Sequence, residues 1–184
     1  MPTVDYELVT SFVALGANLP SAIFEKTVDT LEWSVAEISR WAPVCGRSSW
    51  YRTAPIPTSD QPDFINGVVA VRMSCAPLEA LRRLQAIEHA AGRVRTVANA
   101  ARVLDLDLLA AGREVVQSPE LTLPHPRMAD RAFVLVPLAE IAPQWRHPVL
   151  GQTAEVLARR VAGQRIQRLG DGSSALHVPS LWIT

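Results

Sequence analysis

Lysine is nearly missing from this chain: Lys26 is the only one in 184 residues, and Glu25 precedes it where a Walker A phosphate loop requires glycine. A P-loop is excluded. Lys26 also falls in a stretch that reads as the first helix, which argues against a strand-borne phosphate lysine of the protein-kinase type. No G-x-G-x-x-G run occurs. Any nucleotide must therefore be held by arginines and metal ligands. The two cysteines, Cys45 and Cys75, lack C-x-x-C spacing and are too few for a zinc cluster or a disulfide framework. They read as small buried apolar residues in a reducing compartment. Charge of one sign is not in excess either, since 18 basic residues balance 18 acidic ones. No global field draws nucleic acid or an anionic membrane, so an anion site must be a local cluster. No apolar run approaches a membrane span, and Asp5 and Glu7 replace the cationic start of a secretory signal. The expectation is a cytoplasmic protein with small-molecule substrates and neither nucleic-acid nor membrane partners; the oligomeric state stays open, a monomer included.

What is present suits one globular domain over 1–184, with 48% hydrophobic residues to build a core. Residues 1–10 read as an N-terminal extension and 173–184 as a loosely held tail. Phe12 to Leu15 reads as a buried strand ended by Gly16-Ala-Asn18, followed by a helix from about Ser21 to Arg40. Val44 to Arg52 predicts a second strand, Thr53 to Pro62 a loop, and Phe64 to Met73 a third strand. Pro77 suits the first residue of a helix that Gly92 stops. A strand through Asp105 and Asp107 completes strand, helix, strand, strand, helix, strand. That order is the ferredoxin-like βαββαβ core of an α+β fold, an antiparallel sheet backed by helices. Beyond it, Arg113 to Val116 predicts a short strand and Leu121 to Arg127 an extended loop. Helices near Ala129 to Leu138 and Gly151 to Val161 form a C-terminal helical extension.

The most informative residues are Asp105 and Asp107. In Arg102-Val-Leu-Asp-Leu-Asp-Leu-Leu109, alternation places both carboxylates on one face of a strand, roughly 6.6 Å apart, and Leu104, Leu106 and Leu108 on the other. Two such acids repel unless water screens them or a cation lies between. An edge strand with solvated acids is the plain alternative. Aspartate is a poor strand former, however, and local violations of propensity mark functional sites. Arg93, Arg95 and Arg102 stand close by in the sequence. Paired carboxylates for a hard cation beside guanidinium groups suit a magnesium polyphosphate complex.

Several blocks then carry a family resemblance: Ala14-Leu-Gly-Ala-Asn18, Tyr51-Arg-Thr53, Gln61-Pro-Asp-Phe-Ile-Asn66, Ile87-Glu88 with Gly92-Arg-Val-Arg95, Arg102 to Leu109, and Pro124-His125 through Arg131-Ala-Phe133. From about Phe12 to Gly151 the chain resembles the 6-hydroxymethyl-7,8-dihydropterin pyrophosphokinases of folate biosynthesis. The resemblance implies transfer of a pyrophosphoryl group from ATP to the pterin hydroxymethyl oxygen, with two Mg²⁺ ions. It implies Asp105 and Asp107 as metal ligands and Arg93 and Arg102 as catalytic residues. Gln85, Glu88, Arg95, Leu108, Thr122, His125 and Arg131 are implied to bind ATP; Thr53, Ile56, Phe64, Asn66 and Phe133 are implied to bind pterin. One departure stands out. Ala98-Asn-Ala-Ala101 occupies the place of the family's Arg-Trp-Gly-Pro, in a loop that closes over both substrates. A non-catalytic pterin- or nucleotide-binding relative is therefore the second reading, and a nucleotidyltransferase a third.

Overall fold

Apolar residues on both faces of Val9–Ala17 make it β1, a central strand of a six-stranded antiparallel sheet. The computed structural model describes residues 8–55, 57, 59–93, 101–170 and 176–179. Helix α1 (Thr27–Ser39) is followed by β2 (Val44–Arg47), β3 (Tyr51–Thr53), β4 (Phe64–Met73), α2 (Pro77–Ala90) and β5 (Asp105–Ala111). Strands β5, β1, β4 and β3 lie side by side, with β2 also paired to β4. This is the anticipated ferredoxin-like arrangement.

Helices cover both faces of the sheet. Leu31 and Ile38 of α1, with Ala80, Leu84 and Ile87 of α2, pack against Val13, Leu15, Val69, Val71, Leu106 and Leu108. The opposite face carries Phe12, Ala14, Val68, Ala70 and Leu109 beneath Val134, Leu138 and Ile141 of α3 (Ala132–Ile141). A short hairpin of β6 (Val116–Gln117) and β7 (Thr122–Leu123) precedes α3, and α4 (Ala154–Arg160) packs on it. No helix among the described residues is long and apolar enough to cross a membrane.

Several sequence expectations are corrected. The first helix begins at Thr27, not Ser21, because the Ser21 hydroxyl accepts from the Ile23 and Phe24 amides and closes a local turn instead. Lys26 is consequently the residue before the helix. The predicted strand from Val44 to Arg52 is broken at Ser48, whose hydroxyl accepts from Val68 N–H at 2.9 Å. The next residue turns to α3: Ser49 donates from N and Oγ to Glu140, both at 2.8 Å. The segment read as an extended loop after Leu121 contributes β7 and a cis Leu123-Pro124 peptide. The helix expected from Ala129 is split into a 3₁₀ turn at Met128–Asp130 and α3.

The chain ends also differ. β1 starts at Val9, inside the segment read as an extension. Near the other end, β8 (Gln167–Arg168) pairs with β3, Leu176 bridges to Arg47, and Val178 is buried in the core. The described residues 176–179 are docked rather than loose.

Gly67 shows how tightly β4 meets the segment between β2 and β3. A Cβ there would lie 2.6 Å from the Trp50 ring. Trp50 is itself buried and donates from Nε1 to Glu32 at 2.9 Å, so the ring has little room to yield. We expect Gly67→Ala to destabilise the fold by about 1–3 kcal/mol, the usual cost of overpacking. Urea denaturation would measure this, and an unchanged midpoint would refute it.

Candidate active site

The face of β1 toward α3 tapers along the strand, from Phe12 through Ala14 to Gly16. Shrinking side chains leave room for polar neighbours, and the strand register supplies them: Asp107 lies opposite Ala14, while Asp105 and Asn66 flank Gly16 on its two sides. A Cβ at Gly16 would come within 2.9 Å of Asn66 Oδ1. Glycine inside a strand thus permits a close approach. Asn66 Nδ2 donates to Thr53 Oγ1 at 2.8 Å, which fixes the amide on β4 against β3.

These residues line a cavity of about 890 Å³. Of the residues anticipated from sequence, it brings together Thr53, Phe64, Asn66, Gln85, Glu88, Arg93, Arg102, Asp105, Asp107, His125, Arg131 and Phe133. Two others lie elsewhere. The Leu108 side chain is buried in the core beneath α2, leaving only its main chain to meet a ligand. Thr122 is on the β6–β7 hairpin and lines an adjoining groove of about 780 Å³ that shares His125, Asp130 and Gln164 with the cavity. Ile56, Arg95 and Ala98 to Ala100 lie outside the described residues.

Charge is unevenly distributed across the cavity. Asp105 receives two guanidinium groups, Arg93 at 2.7 Å and Arg102, and Arg93 also pairs with Glu88. Glu88 is only 3% exposed and accepts from the Leu106 amide at 2.7 Å, so it ties α2, Arg93 and β5 together. Asp107 has a much weaker arrangement. Its one ion-pair contact among the described residues is His125 Nε2 at 3.9 Å, charged only when that imidazole is protonated. Burial and then Asp105 raise the Asp107 pKa, whereas burial holds His125 below the ordinary imidazole value despite Asp107. The cleft therefore disfavours the charged form of both partners. Burial, followed by Arg127, likewise lowers the pKa of Arg131, whose guanidinium stands 5.3 Å over the Phe133 ring. Crowded cations await an anion, and an under-compensated carboxylate awaits a cation.

That donor set suits magnesium. Two carboxylates on one strand face are the oxygen ligands it takes alongside phosphate oxygens, and Asp107 has the unmet charge. No group of three or more His, Cys, Asp or Glu side chains converges as an all-protein cage among the described residues. The remaining ligands would have to come from substrate and water.

Residues 12–143 match the family model described as 7,8-dihydro-6-hydroxymethylpterin-pyrophosphokinase. The chain belongs to this family. Among its relatives, the 2-amino-4-hydroxy-6-hydroxymethyldihydropteridine pyrophosphokinases of Synechocystis sp. and Pseudomonas aeruginosa are each 42% identical, over 153 and 149 residues. The first alignment covers 81% of this chain and 74% of the relative, the second 80% and 89%. The Haemophilus influenzae protein of the same name is 40% identical, over 73% of this chain and 82% of the relative. Crystal structures of Plasmodium falciparum HPPK-DHPS share the fold, one with TM-score 0.70 at 14% identity over 88% of this chain. This chain spans 44% of the length of that larger one.

Sequence reasoning named neither Gly16 nor Asn18 as a site residue. Gly16 reads from sequence as the end of the first strand, whereas β1 runs on to Ala17 and places it inside. Asn18 is positioned by contacts that no local pattern encodes.

A carboxyl whose folded pKa is raised carries a charge that weakens folding above that pKa, and the loss is recovered as pH falls through it. We therefore expect Asp107→Asn to melt at a higher temperature than the parent protein at pH 7, with the gap closing as the solution is acidified. Thermal denaturation as a function of pH tests this; a lower melting temperature for the variant at pH 7 would contradict the electrostatic account.

Proposed function

We propose that this pyrophosphokinase-family chain transfers the terminal diphosphoryl group of ATP to 6-hydroxymethyl-7,8-dihydropterin, releasing AMP and giving the pterin diphosphate of folate biosynthesis. One observation carries the reading: a single cavity joins the Asp105, Asp107, Arg93 and Arg102 cluster to Thr53, Phe64, Asn66 and Phe133. The activity printed in the names of the Synechocystis, Pseudomonas and Haemophilus relatives supports it.

In this scheme the hydroxymethyl oxygen attacks the β-phosphorus as the bond to the α-phosphate oxygen breaks, and the hydroxyl proton is released. Asp105 and Asp107 would hold magnesium, two ions by family expectation, which when bound neutralises phosphate oxygens. Arg93 and Arg102 meet the remaining negative charge of the polyphosphate. Both stand on Asp105, one on each oxygen, and would exchange that carboxylate for phosphate oxygens as magnesium takes it. His125 and Arg131 line the same cavity and would meet the same anion, beside the additional cation Arg127.

Phe64 and Phe133 offer apolar rings to a flat heterocycle, and the Asn66 amide, held by Thr53, offers hydrogen bonds to its edge. Gln85 lines the nucleotide side, with Arg95, Leu108 and Thr122 assigned there by family likeness. Glu88 serves better as the post that orients Arg93 and β5 than as a ligand to nucleotide. The intact charge cluster favours turnover over a merely binding relative.

Incubation with ATP, magnesium and hydroxymethyldihydropterin should release AMP only when the pterin is present. Binding without AMP would establish the non-catalytic reading, and release of inorganic pyrophosphate a nucleotidyltransferase. Asp107→Ala should reduce turnover at least about 10²–10³-fold, the scale for a lost electrostatic group, with an unchanged circular dichroism spectrum. Full activity in that variant would remove Asp107 from the chemistry.

A further inference from the structure

Asn18 sits immediately after β1, only 4% exposed, and its side chain reaches in two directions. Toward β5, Oδ1 accepts from the Arg102 amide at 2.7 Å, while the Asn18 amide donates to the Arg102 carbonyl at 2.9 Å. Both main-chain polar groups of Arg102 are thus held by one residue. Toward β4, Nδ2 donates to the Pro62 carbonyl at 3.1 Å and to Gln61 Oε1 at 3.3 Å. Pro62 leads directly into Phe64 and Asn66; Arg102 leads directly into Asp105 and Asp107.

The amide therefore joins the entry to the pterin-facing strand with the entry to the carboxylate strand. These segments are otherwise separated by β1. A side chain with two donors and an acceptor is what this bridge requires, and asparagine supplies both from one planar group. Aspartate would lack the donors.

We propose that Asn18 is a positioning residue that couples the two halves of the cleft, so that nucleotide binding on the β5 side tightens pterin binding on the β4 side. Asn18 does not itself line the cavity. A ligand that orders Arg102 also orders 61–62 through the shared amide, and the second ligand then meets a segment already in place. The coupling is reciprocal by linkage. This inference rests on the substrates proposed above.

The test measures the affinity of 6-hydroxymethyl-7,8-dihydropterin by titration calorimetry, with magnesium chloride, in the absence and presence of an α,β-methylene ATP analogue. In the parent protein the analogue should tighten pterin binding at least about fivefold, the lower end of typical coupling. In Asn18→Ala the ratio should fall close to one, with each ligand still bound alone. Asn18→Asp keeps the acceptor for the Arg102 amide and loses the donors to 61–62. It should retain nucleotide affinity within about twofold while losing the coupling.

A parent-sized ratio in a folded variant overturns the proposal, as does a ratio of one in the parent. If both variants fail to fold, Asn18 is structural only and the proposal is likewise overturned. Failure of the parent to bind either ligand would instead sink the proposed substrates, and the coupling with them.

Discussion

Two guanidinium groups converge on one carboxylate at the start of β5, and the rest of the cleft is arranged around that pairing. Asp105 and Glu88 together answer Arg93 and Arg102, while Asp107, on the same face of the strand, is left with a histidine at 3.9 Å. These partly buried pairs hold both guanidinium groups beside the cavity. In the proposed reaction a divalent cation would take over the carboxylates and the polyphosphate the arginines, so the pairs in this cluster would exchange partners.

The sheet makes this possible by giving up core on one face. Under α1 and α2 the strands present Val13, Leu15, Leu106 and Leu108, a continuous apolar layer. Under the start of α3 they present Gly16, Asn66, Asp105 and Asp107. Alternation along a strand lets one short segment serve both purposes, because Leu106 anchors β5 while its neighbours face the cavity. α3 closes the far side and is held through Glu140, which accepts from Ser49 and Tyr51 and pairs with Arg168 of β8. Burial and Glu140 raise the Tyr51 pKa to about 12, so its hydroxyl remains a donor.

Features that depend on local chemistry were legible in the sequence. β4 matches its expected Phe64 to Met73 bounds, and α2 starts at Pro77 because proline suits the first helical turn. The Asp105 and Asp107 face follows from period two alone. Features that depend on distant partners were not legible. Nothing around Ser48 announces that its hydroxyl will substitute for a ladder hydrogen bond, and Ser21, read as the start of the first helix, closes a different turn. Thr122 and His125 are three residues apart in the chain, yet a hairpin and a turn place Thr122 on the adjoining groove only. Asn18 reaches partners 43, 44 and 84 residues away.

The pattern of misfit has a physical cause. A stable sheet would place neither two aspartates on successive same-face positions nor a glycine between an asparagine and a carboxylate, because each choice removes apolar contact or adds repulsion. Here the repulsion is partly offset by arginines on Asp105 and left standing on Asp107, whose charge the fold itself disfavours. Asp107 lines the cavity rather than the core, and a divalent cation there would compensate its charge more completely than His125 does. The weakly compensated charge of Asp107 is therefore the structural argument for the metal-bound phosphate proposed above.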